Sequence, residues 1–187
     1  MVLAVVVTAA AACTGTGDDE PAATMEPTLL DPAVTHTTPA PAPGTTPTSD
    51  EAAIIAAVHG YWDAVLAANS PPDPDHPALA RYATGPALET SRRNATERRQ
   101  LGQSVRLPPE TRSEHRVTIG SVSAEVATVR DCGVDDAVLH DLSTGRVLND
   151  AVETTDWELT LRKVDGSWRV AEARVMATWD GVTTCGG

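Results

Sequence analysis

The residues able to do chemistry are few and scattered. The five histidines are His36, His59, His76, His115 and His140. No two stand four apart, and no His-Glu-x-x-His run exists to present a zinc site on one helix face. Asp73-Pro-Asp75-His76 offers oxygen and nitrogen to a cation, but carboxylates set among prolines read as a polar turn. Asp135, Asp136 and Asp141 lack the spacing of a calcium loop. There is no Gly-x-Ser-x-Gly nucleophile turn and no glycine-rich phosphate loop. No catalytic residue, metal ligand or cofactor is therefore assigned. Three cysteines remain, Cys13, Cys132 and Cys185; none belongs to a Cys-x-x-Cys pair, and none has a histidine beside it.

Charge narrows the partners. The formal net charge is −12 over 187 residues, and every basic side chain lies between Arg81 and Arg174. An acidic chain repels nucleic acid, whose phosphates need clustered cations. Arg92, Arg93, Arg98 and Arg99 form the one basic cluster, but Glu89 and Glu97 are interleaved, which predicts a solvated helix face with i,i+4 ion pairs.

The N-terminus gives an address. Met1 to Ala12 is apolar except for Thr8. It is too short to span a bilayer, which takes about twenty residues, and reads as the hydrophobic region of a signal peptide. No basic residue precedes it, which points to a translation start further upstream. Ala10-Ala11-Ala12 runs directly into Cys13 and resembles the lipobox of bacterial lipoproteins. That resemblance implies diacylglycerol on the Cys13 thiol, cleavage before it, and an anchor at the extracytoplasmic face of the cell membrane. A secretory signal cut at Ala-x-Ala, with Cys13 incidental, is the alternative. Thr14 to Ser49 holds seven prolines, five acids and no Lys, Arg or aromatic residue. Such a segment buries too little apolar area to offset chain entropy and is expected to be a disordered tether. The organisation is then signal peptide 1–12, lipidated cysteine and tether 13–49, and one folded domain 50–187.

The domain begins at Thr48-Ser-Asp-Glu51, a capping box. Ile54, Ile55, Val58, Tyr61, Trp62, Val65 and Leu66 follow at helical spacing until Pro71-Pro72. Pro77 opens a short second helix to about Tyr82. Thr84-Gly85-Pro86 opens a third, ending near Leu101, with Ala87, Leu88, Ala95 and Leu101 as its apolar face. From Ser104 the pattern changes to period two. Strands are expected at Val105–Leu107, His115–Ser121, Val122–Cys132, Ala137–Leu142, Arg146–Asn149, Thr155–Val164 and Trp168–Ala177. Asp165-Gly166 is the strongest hairpin signal among them. Helices first and an antiparallel meander afterwards predict an α+β domain: a long N-terminal helix and two short ones packed on a curved sheet.

This order, with Tyr61-Trp62-Asp63-Ala64, Ala127-Thr-Val-Arg-Asp-Cys132 and Leu161-Arg-Lys-Val-Asp-Gly-Ser-Trp-Arg-Val170, resembles the NTF2-like family. That family has the cone-shaped cystatin-like fold shared with SnoaL and ketosteroid isomerase, and the phrases look like those of its lipoprotein members. The resemblance implies a disulfide between Cys132 and Cys185 tying a strand to the C-terminal tail, which an exported compartment permits. It also implies a pocket between the long helix and the sheet, with Tyr61, Trp62, Tyr82 and Trp157 as candidate lining.

Two functions stay open. One is a non-catalytic module of the cell envelope that binds an apolar small ligand or an envelope protein. The other is a ketosteroid-isomerase-like enzyme moving a proton beside a carbonyl, with Tyr61 for the family's tyrosine. That chemistry needs an inward carboxylate, and neither Asp63 nor Asp131 is assigned to it. A homodimer is open as well, since sheets of this fold commonly pair. An acid in a water-accessible apolar cavity would favour the enzyme; a filled cone would favour binding or scaffolding.

Overall fold

The computed structural model describes residues 48–185; the signal segment, Cys13 and nearly all of the tether lie outside them. Thr48 caps the first helix reciprocally. Its hydroxyl accepts the Glu51 N–H at 3.2 Å, and its own N–H donates to Glu51 Oε2 at 2.7 Å. Helix α1 (Ser49–Ala67) buries Ile54, Ala57, Val58, Tyr61 and Ala64, the three- and four-residue steps of one helix face. Helix α2 (Pro77–Tyr82) starts on its proline. Helix α3 (Gly85–Gln100) buries Ala87, Ser91 and Ala95.

Seven strands follow: β1 (Gln103–Arg106), β2 (Glu114–Val122), β3 (Val126–Asp135), β4 (Val138–Asp141), β5 (Val147–Asn149), β6 (Glu153–Val164) and β7 (Ser167–Asp180). They do not form the single meander that the period-two pattern suggested. β2-β3-β6-β7 make one antiparallel sheet, and β1-β4-β5 make a separate one. After Asp135 the chain leaves the large sheet, and β4 pairs with β1 (Val105 opposite Leu139) instead of folding back on β3. Alternation marks strands but does not choose their partners.

The large sheet bends through register shifts at Ile119/Ser121, Asp156/Trp157 and Thr160/Leu161, because each bulge adds local twist. α1 packs against β2 and β7 across the bent face. The core between them holds Ile54, Val58, Tyr61, Val129, Leu159, Leu161, Trp168 and Val170. The hairpin at Asp165-Gly166 has positive φ at both residues, 50° and 79°, which matches the two-residue turn signal.

Two expectations for α3 change. Leu101 is not on the apolar face; it is the C-cap and stands 57% exposed, while Ser91 takes the inward position. No ion pair links Glu89 or Glu97 to the arginine cluster among the described residues; Arg93 donates instead to the Thr90 hydroxyl at 3.1 Å.

Asp136 fastens the crossing from β1 to β2. It accepts the hydroxyls of Thr111 at 2.7 Å and Ser113 at 2.8 Å, together with the Arg112 N–H at 2.5 Å. Burial alone would raise its carboxyl pKa, but these bonds outweigh burial and hold it below the usual carboxylate value. Asp141 is lowered to about 2, first by the Ser143 hydroxyl and then by the Thr144 N–H and hydroxyl. Depressed carboxylates stabilise the fold above their unfolded pKa of about 4, and that contribution disappears as pH falls through the folded value. Stability measured by urea unfolding should therefore decline from about pH 4 downward. The Asp136→Asn variant should show a shallower acid slope and faster hydrogen exchange at the Arg112 amide; an unchanged slope would remove Asp136 from the acid response.

Candidate functional site

Period-two alternation puts His115, Val117 and Ile119 of β2 on one face, and Ala127, Val129 and Asp131 of β3 on the same face, toward α1. Asp131 and Cys132 are neighbours in sequence and project to opposite sides of the sheet. Asp131 is therefore not part of the disulfide environment. Its side chain is fully buried, and Oδ2 accepts the Trp62 indole N–H at 2.6 Å. His115 Nδ1 lies 2.8 Å from the same oxygen. A carboxylate only accepts, so with Asp131 ionised the ring places a proton on Nδ1 and leaves Nε2 as the free position. The other oxygen, Oδ1, is buried and has no partner among the described residues.

Aromatic packing fixes this pair. The His115 ring stacks on Trp62, with centroids 4.9 Å apart and planes within 8°. Trp157 meets Trp62 at 5.1 Å and Tyr61 meets it at 4.8 Å, both tilted. Gly133 stands opposite His115 in the ladder, and a Cβ there would come within 2.9 Å of the imidazole. The missing side chain is what lets the ring lie flat. Gly133→Ala should displace the imidazole and cost about 1–3 kcal/mol through overpacking. The check is the His115 proton and nitrogen shifts together with thermal unfolding; unchanged shifts would show that the ring does not depend on Gly133.

The four expected lining residues separate. Tyr61, Trp62 and Trp157 join one cluster around Asp131 and His115. Tyr82 does not join it. Its ring lies over Gly60, where an added Cβ would fall 2.3 Å from Cε1. Residues 60 and 62 point roughly 200° apart around a helix, so Tyr82 and Trp62 flank opposite sides of α1. Burial pushes the Tyr61 phenol pKa up, against a lowering contact with Ser91 Oγ at 3.4 Å. Asp63 is exposed. Sequence reasoning left out the central pair, His115 and Asp131. The signal for it was the alternation itself, which puts both on the face shared by Val117 and Val129.

Two recesses lie away from this cluster: one of about 210 Å³ on the outer sheet face, and one of about 140 Å³ beside Arg98, Val105 and Leu139. Among the described residues no group of His, Cys, Asp or Glu is arranged to hold a metal ion, and no helix is long and apolar enough to cross a membrane. The expected disulfide is present: Cys132 on β3 is bonded to Cys185 in the tail, with Cα atoms 5.7 Å apart.

No protein-family model and no curated protein matches the chain. Solved structures do. The intermembrane-space region of the chloroplast protein ARC6 is similar over 70% of this chain and 99% of its own, at 23% identity and a TM-score of 0.55. A Kribbella flavida protein, Kfla4162, is similar over 71% of this chain and 93% of its own, at 13% identity and a TM-score of 0.49. A scytalone dehydratase-like protein of Novosphingobium aromaticivorans is similar over 70% and 89%, at 17% identity and a TM-score of 0.42. Likeness at these identities concerns the fold alone. The element order is the one that the NTF2-like resemblance implied, and the fold is shared with the ARC6 region.

Proposed function

We propose that the chain is a lipoprotein anchored through Cys13 on the extracytoplasmic side of the membrane, its domain serving without catalysis as an accessory module of the cell envelope. The observation that carries the reading is the aromatic cluster packed around a fully buried Asp131. Tyr61, Trp62 and Trp157 pack together where a pocket was expected, and the Asp131 carboxylate is fully buried, with Trp62 and His115 on its Oδ2. A substrate site needs a concavity with polar groups facing it. Here Asp131 Oδ2 is taken up by Trp62 and His115. Partners would then meet the outer surface, and an apolar ligand would enter the cone only by displacing an aromatic ring.

A second reading rests on the His115–Asp131 pair. A histidine whose Nδ1 proton is held by a buried carboxylate presents Nε2 as a base, the arrangement general-base catalysis uses. One experiment separates the two. Deuterium exchange beside the carbonyl of an unsaturated cyclic ketone is followed by NMR, with and without the protein. The accessory reading expects the buffer rate. Acceleration that vanishes in His115→Asn would replace it with the enzymatic one. The anchor is tested separately by intact mass of the protein from membranes: diacylglyceryl on Cys13 is expected, and a soluble product starting elsewhere would refute it.

A further inference from the structure

The outer face of the large sheet carries the recess of about 210 Å³ lined by Arg116, Thr118, Arg130, Cys132, Asp156 and Cys185. Both cysteines of the disulfide line it, and the surroundings of their sulfurs differ. Arg116 Nη2 donates to Cys132 Sγ at 3.2 Å, and the backbone N–H of Cys185 donates to the same sulfur, also at 3.2 Å. Among the described residues no donor reaches Cys185 Sγ. Arg116 is fixed in this position from its other side: Nη2 also donates to the Thr183 carbonyl at 3.1 Å, and Nη1 lies 3.6 Å from Glu114. The neighbouring guanidinium is not free to compete, because Arg130 is paired with Asp156.

A sulfur in a disulfide is a weak acceptor and gains little from two donors. A thiolate gains much more, since hydrogen bonds to an ionised acceptor are about twice as strong and a nearby cation favours the anion. The two donors are therefore arranged for a species that exists only once the bond opens with its charge on Cys132. Disulfides break by thiolate attack on one sulfur and departure of the other, and the sulfur that forms the more stable thiolate leaves faster.

We propose that Cys132–Cys185 is a thiol-exchange site for a small thiol, with Cys185 the sulfur attacked and Cys132 the leaving group. The incoming thiolate forms a bond to Cys185 Sγ, and the bond between the two protein sulfurs breaks. Its electron pair departs on Cys132 Sγ, beside the Arg116 guanidinium. The incoming sulfur is oxidised to a mixed disulfide and Cys132 is reduced to a thiolate; one negative charge enters and one is produced. The modification thus sits on the tail, and the strand keeps the free thiolate, which can reverse the reaction.

The test uses the folded chain carrying Cys13→Ser, so that two sulfurs report. Brief exposure to 2-mercaptoethanesulfonate is followed by trapping with iodoacetamide and peptide mapping. The adduct is expected on Cys185 and the carbamidomethyl group on Cys132, in about tenfold excess over the reverse. Arg116→Gln should slow opening about tenfold and erode that preference. An equal or inverted distribution in the parent chain overturns the proposal whether or not the variant folds. A bond that reacts only after unfolding in denaturant overturns it too, as does an Arg116→Gln protein that opens at the parent rate.

Discussion

Replacing Cys132 and Cys185 together by serine should lower the unfolding free energy by roughly 4 kcal/mol. The bond spans 53 residues from β3 to the tail, and loop-closure entropy removed from the unfolded chain grows with the logarithm of that span. Most of the effect is thus expected in the unfolded state, with the native sheet little changed. The tail keeps other attachments: Thr183 N–H donates to Thr154 Oγ1 at 3.0 Å, and Gly181 N–H to the Val152 carbonyl at 2.7 Å. Urea unfolding of the oxidised protein and the double serine variant measures the difference. A lower midpoint with a steeper slope would agree, because the unfolded chain exposes more surface without the cross-link. A loss under about 1 kcal/mol would mean that the unfolded chain is already compact around this pair.

The second large effect is expected at Asp131. Asp131→Ala leaves the Trp62 indole N–H and the His115 Nδ1 proton facing an apolar gap. Buried donors without acceptors cost about 1–3 kcal/mol each, and the missing atoms add a cavity, so a loss of about 2–4 kcal/mol is expected once the ring of His115 has moved to find water. Trp62→Phe keeps most of the ring and removes one donor. It should cost about 1 kcal/mol alone and less when Asp131 is already alanine, since the bond it would break is gone. Purely additive losses in this double-mutant cycle would contradict a direct Trp62–Asp131 bond. An Asp131→Ala variant as stable as the parent would show the carboxylate to be a burden that neither donor offsets.

How much of this could be read from the residues depends on whether the signal was local. The capping box at Thr48 and Glu51, the helical stripe from Ile54 to Leu66 and the turn at Asp165-Gly166 are short-range patterns; the cap and the turn appear where their spacing put them, and of the stripe Ile54, Val58 and Tyr61 are buried while Ile55, Trp62, Val65 and Leu66 are half-buried. The partners of β4 were not legible. Val138 to Asp141 alternates as well as any strand, but its choice of β1 over β3 is made by the whole chain. Ser91 was hidden for another reason: a hydroxyl that donates to the Ala87 carbonyl at 2.9 Å can be buried on a helix, which a hydrophobic pattern does not show. His115 and Asp131 are sixteen residues apart on paired strands and diagonal to one another, His115 standing opposite Gly133 and Asp131 opposite Val117. Their meeting required the register, which a bulge at Ile119/Ser121 resets further along the same pair of strands. Tyr82 was grouped with Trp62 by residue type, and only the closeness of its ring to Gly60 reveals that it lies across the helix.

The burial of Asp131 beneath its aromatic cluster is the claim on which the accessory role rests, and hydrogen exchange at the Trp62 indole N–H tests it most directly. That proton is held at 2.6 Å by a fully buried carboxylate, so its exchange is expected to require breaking this bond by a local opening. Its exchange in D2O, followed by NMR, should be as slow as that of the core amides of Val129 and Leu159. Loss of the signal at the rate of a free indole would mean that water already occupies the space between α1 and the sheet.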